Sequence, residues 1–297
     1  MASLYFPFID YAGYFLSEGP FLFAMTLSFW LLMRALRALP RPAAPLYGGL
    51  AGVLLGLAAS LKTVALPAAF LVLVALLVMA RKYRWRVGRV LWPAVAGLLL
   101  VLAPLAVRGT RLSKGRFCMI SNQTGLVVLM GHYGEVRQFE FRDEQRGYFH
   151  YYGGPASIQK GYERVVVLPV GVYETDKILG YAWDWIKQHP GEAVLLSVEH
   201  VFDLAFNSLP WPSCGDAKLR PWVRLFQLLF LMGILFPAAC HMVRNVRGML
   251  RLEPRFCGDV LLIMPLVALA AVVFVTISEP RYRIPFDGFF MILAARC

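Results

Sequence analysis

The sequence predicts an all-α fold: a polytopic transmembrane helical bundle with a mixed extracytoplasmic region between its late spans. Three observations lead there. Of the 297 residues, 59% are hydrophobic and only 16% charged, whereas about a quarter of a soluble domain is charged. Several apolar runs approach the roughly 17–25 residues that cross a bilayer. Between Val107 and Trp222 the chain is too polar to span, and that stretch carries most of the acidic residues.

The apolar runs fall at 15–36, 46–61, 63–80, 91–107, 222–243 and 260–277, with an incomplete run at 284–295. They divide the chain into about four spans over 1–107, an extracytoplasmic region with interfacial helices over 108–221, and two spans plus an incomplete third over 222–297. Arginine clusters follow the first, third and fifth runs: Arg34, Arg37 and Arg41; Arg81, Lys82, Arg84, Arg86 and Arg89; Arg244, Arg247, Arg251 and Arg255. Cytoplasmic loops collect Lys and Arg, so residues 46–80 must cross an even number of times. Two short helices broken around Ser60–Thr63 satisfy this, with Pro67 in the first turn of the second, where its missing N–H does little harm. The same parity puts the amino terminus, Lys62, residues 108–220 and the segment Ser278–Arg283 outside. Arg108, Arg111, Lys114 and Arg116 then form a basic cluster on the outer side, which long translocated regions tolerate.

Within the outer region, Asn122-Gln123-Thr124-Gly125 has turn chemistry and precedes a strand-like or short buried run ending near Met130. Residues 148–160, rich in Tyr and Gly, read as loop. Residues 176–206 read as two helical pieces parted at His189-Pro190-Gly191. Trp183, Trp185 and Ile186 suggest that the first lies at a membrane interface. On the second, Val194, Val198, Val201, Phe202 and Ala205 form an apolar face interrupted by Glu199 and Asp203.

The net charge of +12 is accounted for by the cytoplasmic loops, and no nucleic-acid motif accompanies it. Cys118, Cys214, Cys240, Cys257 and Cys297 are scattered without metal-ligand spacing. Cys118 and Cys214 can pair only if both face an oxidising compartment, and nothing fixes their distance. His132, His150, His189, His200 and His241 are isolated, so neither a metal nor a cofactor is expected. Asn122 opens a glycosylation triplet by pattern alone. No cleavable signal peptide precedes the first run, and both ends read as those of a fragment.

Four stretches, in order, resemble one family: FLSEGPFLFAMTLSFWLLMRAL, GGLAGVLLGLAASLKTVALPAAFLVL, WDWIKQHPGEAVLLSVEHVFDLAF and SEPRYRIPFDGFFMILAA. Together they resemble the C superfamily of membrane glycosyltransferases, which includes protein mannosyltransferases and bacterial aminoarabinose transferases. The resemblance implies transfer of a sugar from a polyprenyl-phosphate carrier to a lipid, protein or polysaccharide acceptor at the outer face of the plasma (inner) membrane. Gly19-Pro20 and Asn122-Gln123-Thr124-Gly125 depart from the family pattern. Nothing in this sequence corresponds to the family's first outer loop, which bears its catalytic acid, so the catalytic residue is unassigned. Two other readings stand beside this one: a transporter or flippase for a lipid-linked or anionic solute, and a non-catalytic assembly subunit.

Such a reaction builds charge on phosphate oxygens, which fixed cations stabilise most where water is excluded. Arg suits this because its planar fork donates two parallel hydrogen bonds. The expected phosphate- and substrate-binding residues are therefore Arg281, Lys62, Arg283 and Glu18. In an extended stretch Arg281 and Arg283 would point to opposite sides; both also fit as headgroup anchors. Lys62, at a helix break, is either a functional intramembrane cation or a snorkelling one. Glu18, after Ser17, also fits a helix start, with Ser17 as cap and the carboxylate at the positive end of the dipole. Asp10 is a weaker outer acid. Tyr282 fits either sugar stacking or an interfacial belt.

Overall fold

The computed structural model describes residues 17–39, 41–83, 87–112, 124–134, 136–143, 147–152, 161, 163–171, 174–206, 218, 220–278 and 280–297. In chain order the elements are α1 (Glu18–Arg37), α2 (Ala44–Leu61), α3 (Ala65–Tyr83), α4 (Gly88–Leu112), α5 (Thr124–His132), β1 (Val136–Asp143), β2 (Gly147–Tyr152), β3 (Arg164–Leu168), α6 (Thr175–Gln188), α7 (Pro190–Phe206), α8 (Arg220–Phe230), α9 (Phe236–Leu250), α10 (Cys257–Val275), α11 (Pro280–Arg283) and α12 (Asp287–Ala294). Among the described residues six helical segments are long and apolar enough to cross a membrane: Gly19–Arg37, Ala44–Leu61, Ala65–Tyr83, Gly88–Arg111, Pro221–Leu250 and Pro254–Val275. The protein is a multi-pass helical membrane protein. Ile284–Ala294 is a shorter apolar helical run.

The chain forms two compact units. The first comprises Met1–Ile120, Ser208–Leu269 and Arg283–Cys297; the second comprises Ser121–Asn207 and Ala270–Tyr282.

In the first unit the α2–α3 break falls at the expected place. Lys62 leaves helical space at φ −142°, ψ 119°, yet its N–H still donates to Ala58 O at 2.9 Å, and its carbonyl accepts from Ala65 N at 3.1 Å. Helix α2 packs on α1 and α4. Its face toward α4 carries Gly48, Gly52 and Gly56, four residues apart. A β-carbon at Gly52 would collide with the carbonyl of Ala94, and one at Gly97 of α4 with the carbonyl of Gly49. Small residues at such spacing let backbones approach closely where lipid supplies no hydrophobic drive. Helix α1 meets the start of the last helical run through aromatic contacts, Phe21–Phe286 at 5.8 Å and Phe29–Phe289 at 4.8 Å between ring centroids. Ser17 makes no side-chain cap on α1, which removes the capping role expected of it.

Helices α8 and α9 are one continuous run joined by a π-helical turn, Leu231–Leu235. Such turns insert an extra residue into an α-helix and are frequent at functional sites. This one packs against α12.

The second unit is mixed. Its sheet runs β2-β1-β3, with β1 and β2 antiparallel and β1 and β3 parallel. Phe139, Phe141 and Leu168 turn one face onto Leu126 and Leu129 of α5 and Ile178 and Ala182 of α6. Gly125 brings α5 against the Thr175 carbonyl of α6.

Four expectations need correction here. Of the two readings of the run ending near Met130, the short buried one holds and the strand-like one does not: it is helix α5, whose apolar residues lie too densely to distinguish helix from strand by period. Residues 147–152 are strand β2, paired to β1, rather than loop. Trp185 is 8% exposed and belongs to the core rather than an interface, although Trp183 on the same helix is exposed. The buried face of α7 is Ala193, Ser197, His200 and Leu204, while Val194, Val198 and Phe202 are exposed. The buried face recurs at helical spacing, but Ser and His conceal it from an apolar count.

Candidate functional site: a buried arginine cluster

The segment Arg283-Ile284-Pro285-Phe286-Asp287 passes from α11 through a 3₁₀ turn, Ile284–Phe286, into α12. Residues four apart on a helical run share a face, and here they pair. Arg283 Nε donates to Asp287 Oδ1 at 3.0 Å. Arg283 Nη2 donates to Gln227 Oε1 at 3.3 Å, and the guanidinium lies 3.8 Å from the Phe230 ring centroid. Gln227 and Phe230 are one turn apart on α8, just ahead of the π turn. Asp287 is fully buried, Arg283 is 4% exposed and Gln227 9%. This is a charge-compensated, water-excluded cation held by a carboxylate, an amide and an aromatic face.

That burial corrects one alternative: Arg283 is not a headgroup anchor, because a snorkelling side chain keeps its head in water. The helical backbone of Pro280–Arg283 also replaces the extended stretch expected there, so alternation does not govern Arg281 and Arg283. Of the four expected residues, Arg283 lies in this cluster. Lys62 is half-buried at the α2–α3 break. The side chains of Arg281 and Glu18 lie outside the described residues, as do Asp10, Lys114, Arg116, Asn122, Cys118 and Cys214. Arg108 and Arg111 are exposed near the end of α4, and Tyr282 is half-buried. Asp287, Gln227 and Phe230 were not foreseen; the legible signal was an Arg and an Asp four apart within an apolar run.

The histidines read as isolated have partners, and two of them are buried in side-chain pairs. His241 Nε2 lies 3.0 Å from Asp259 Oδ2, both buried in the first unit, and Arg296 contacts the same carboxylate. In the second unit His132 joins α5 to α7: Nε2 lies 3.1 Å from Ser197 Oγ and Nδ1 3.2 Å from the Val128 carbonyl. Burial pushes the His132 imidazole below its ordinary pKa of 6.5, partly offset by the Val128 hydrogen bond. Among the described residues no three His, Cys, Asp or Glu side chains form a metal-binding group. The second unit also carries a cleft of about 270 Å³ between the β1 approach, β3 and the α6–α7 corner.

Comparison with family models, with curated proteins and with solved structures finds no match for this chain.

Proposed function

We propose that the protein is a membrane glycosyltransferase component that binds a polyprenyl-phosphate-linked sugar and presents it to an acceptor at the extracytoplasmic face. The observation that carries this reading is the burial of Arg283 in a multi-pass helical protein. Ionisable residues inside membrane segments are expensive and as a rule mark substrate or ion paths. A guanidinium fixed over Phe230 by Asp287 and Gln227 is pre-oriented, so a phosphate reaching it meets a donor fork that needs little reorganisation. Charge parity in the sequence puts Lys62 and Arg281 on the outer side, where each would add positive charge for the carrier. In this scheme Asp287 holds the arginine when the carrier is absent and yields part of its hydrogen bonding when the phosphate arrives.

One observation favours a second reading. Arg283 is already neutralised by Asp287, as a non-catalytic assembly subunit requires for stability alone. Binding of the carrier separates the two. The whole chain in lipid nanodiscs, mixed with an undecaprenyl-phosphate sugar and an equal amount of phosphatidylglycerol, is examined by native mass spectrometry. The enzyme-component reading predicts preferential retention of the polyprenyl species, weakened by about tenfold or more in Lys62→Ala and in Arg281→Ala. No preference, or a preference that both variants keep, refutes the site.

A further inference from the structure

The cleft of the second unit has a chemistry that the buried arginine cluster does not use. Seven residues line it: Tyr133, Gly134, Arg164, Trp185, Gln188, His189 and Glu192. Three of these residues form a run of packed rings, one pair tilted and one stacked. Tyr133 packs on Trp185 with centroids 5.9 Å apart, and Trp185 stacks on His189 at 4.9 Å and 20° between planes. Gly134 sits where a side chain would press on the Trp185 ring, so its lack of one keeps the space open. The rim is polar. Arg164 on β3 reaches over the Tyr133 ring at 5.9 Å, while Gln188 ends α6 and Glu192 lies in the first turn of α7. Among the described residues neither Arg164 nor Glu192 forms an ion pair. His189 Nδ1 donates to the Trp185 carbonyl at 3.2 Å. That bond fixes the tautomer and leaves Nε2 of the neutral ring as an acceptor.

We propose that this cleft binds one neutral sugar ring. The volume is just below the range of about 300–1,000 Å³ typical of drug-sized pockets, which suits a single ring rather than a long chain. Aromatic surface beside polar side chains matches a ligand with apolar C–H faces and a hydroxyl-bearing edge. Glu192 accepts from hydroxyls, Arg164 donates to them, and Gln188 does both. One guanidinium and one carboxylate together give the lining no net charge, so neither sign of ligand charge is favoured and the fit rests on hydroxyls.

The proposal rests on the glycosyltransferase reading only in taking the sugar to be part of the acceptor; the cleft and the carrier site can fail separately. The test is saturation-transfer NMR on the whole chain in nanodiscs, with the methyl glycosides of glucose, mannose, galactose and N-acetylglucosamine, and glucuronic acid. At least one neutral glycoside receives saturation on its ring C–H protons, and its affinity falls about tenfold or more in Arg164→Met and in Glu192→Gln. Lys187→Gln, a neighbouring exposed substitution outside the lining, leaves it unchanged. These variants alter surface side chains, so folding is retained. Transfer to none of the sugars, transfer to glucuronic acid alone, or transfer that Arg164→Met and Glu192→Gln leave intact would overturn the assignment, whatever the result of carrier binding.

Discussion

Both units contain an arginine facing an aromatic ring, and the two are held in opposite ways. In the first unit Arg283 is 4% exposed, 3.8 Å from the Phe230 ring, and bonded to the fully buried Asp287. In the second, Arg164 is exposed, 5.9 Å from the Tyr133 ring, with Glu192 lining the same cleft. The contrast follows from the solvent each meets. A charge buried among packed helices needs a counter-ion from the protein, because no water solvates it. A charge on a wetted cleft is already solvated, so it gains little from an internal partner and keeps its donors for a ligand. It is burial of the paired charge, not pairing by itself, that marks where water is absent.

The largest effect that can break this contrast is at Asp287. Asp287→Ala leaves Arg283 buried without its counter-ion, and unfolding in mixed micelles should register a loss of about 3–5 kcal/mol. Arg283→Met combined with Asp287→Leu removes both charges and should recover most of that loss, since apolar replacement of a buried pair is often neutral. If carrier binding stays lost in this double variant while stability returns, the pair has a role beyond packing. Equal instability of single and double variants would mean that Arg283 is not compensated by Asp287.

Glu192→Gln sharpens the other side of the contrast. It should change stability by no more than about 0.5 kcal/mol while weakening sugar binding about tenfold. A stability loss rivalling that of Asp287→Ala would show that the cleft is a structural junction.

A smaller, pH-dependent effect belongs to His132. Its folded pKa is held below the ordinary 6.5, so the unfolded chain binds the proton more readily. Stability of the second unit is therefore present above about 6.5 and declines as pH falls through the folded value. Protection factors of the α5 amides, corrected for the intrinsic pH dependence of exchange, should fall between pH 7 and pH 5, and His132→Gln should flatten that dependence. Protection that stays constant with pH in the wild type contradicts the burial argument.

The smallest effect is expected at the exposed pair Lys177–Glu174, at 2.7 Å. Lys177→Ala should cost less than about 1 kcal/mol and less still in high salt; a larger cost would show that exposed pairs in the second unit matter as the buried one does.

The spans were readable because lipid imposes one coarse rule, length and apolarity, on every crossing helix. The break at Lys62 was legible for the same reason: parity demanded two helices in a run too long for one. Strand β2 and helix α5 were not legible. Their residues are fixed by what packs on them, namely β1 and α6, and that partnership leaves no period in so short a run. Arg283 was visible as a candidate, but its partners Gln227 and Phe230 lie on α8, distant in sequence, and composition does not mark the pairing. Gly48, Gly52 and Gly56 display their spacing openly; that α4 fills the groove is knowledge only the fold supplies. The cleft drew on Tyr133, Arg164 and Glu192 from three separate elements, so no motif could announce it.

The proposed function stands on sidedness: Lys62 and residues 108–220 are expected outside, opposite the arginine-rich turns. The most direct measurement is labelling of single introduced thiols, in a chain stripped of its native cysteines, by a membrane-impermeant maleimide applied to intact cells. Lys62→Cys and Lys187→Cys should label from outside, while Arg247→Cys should label only after permeabilisation. Labelling of position 62 or 187 only once the membrane is opened would contradict the account at its base.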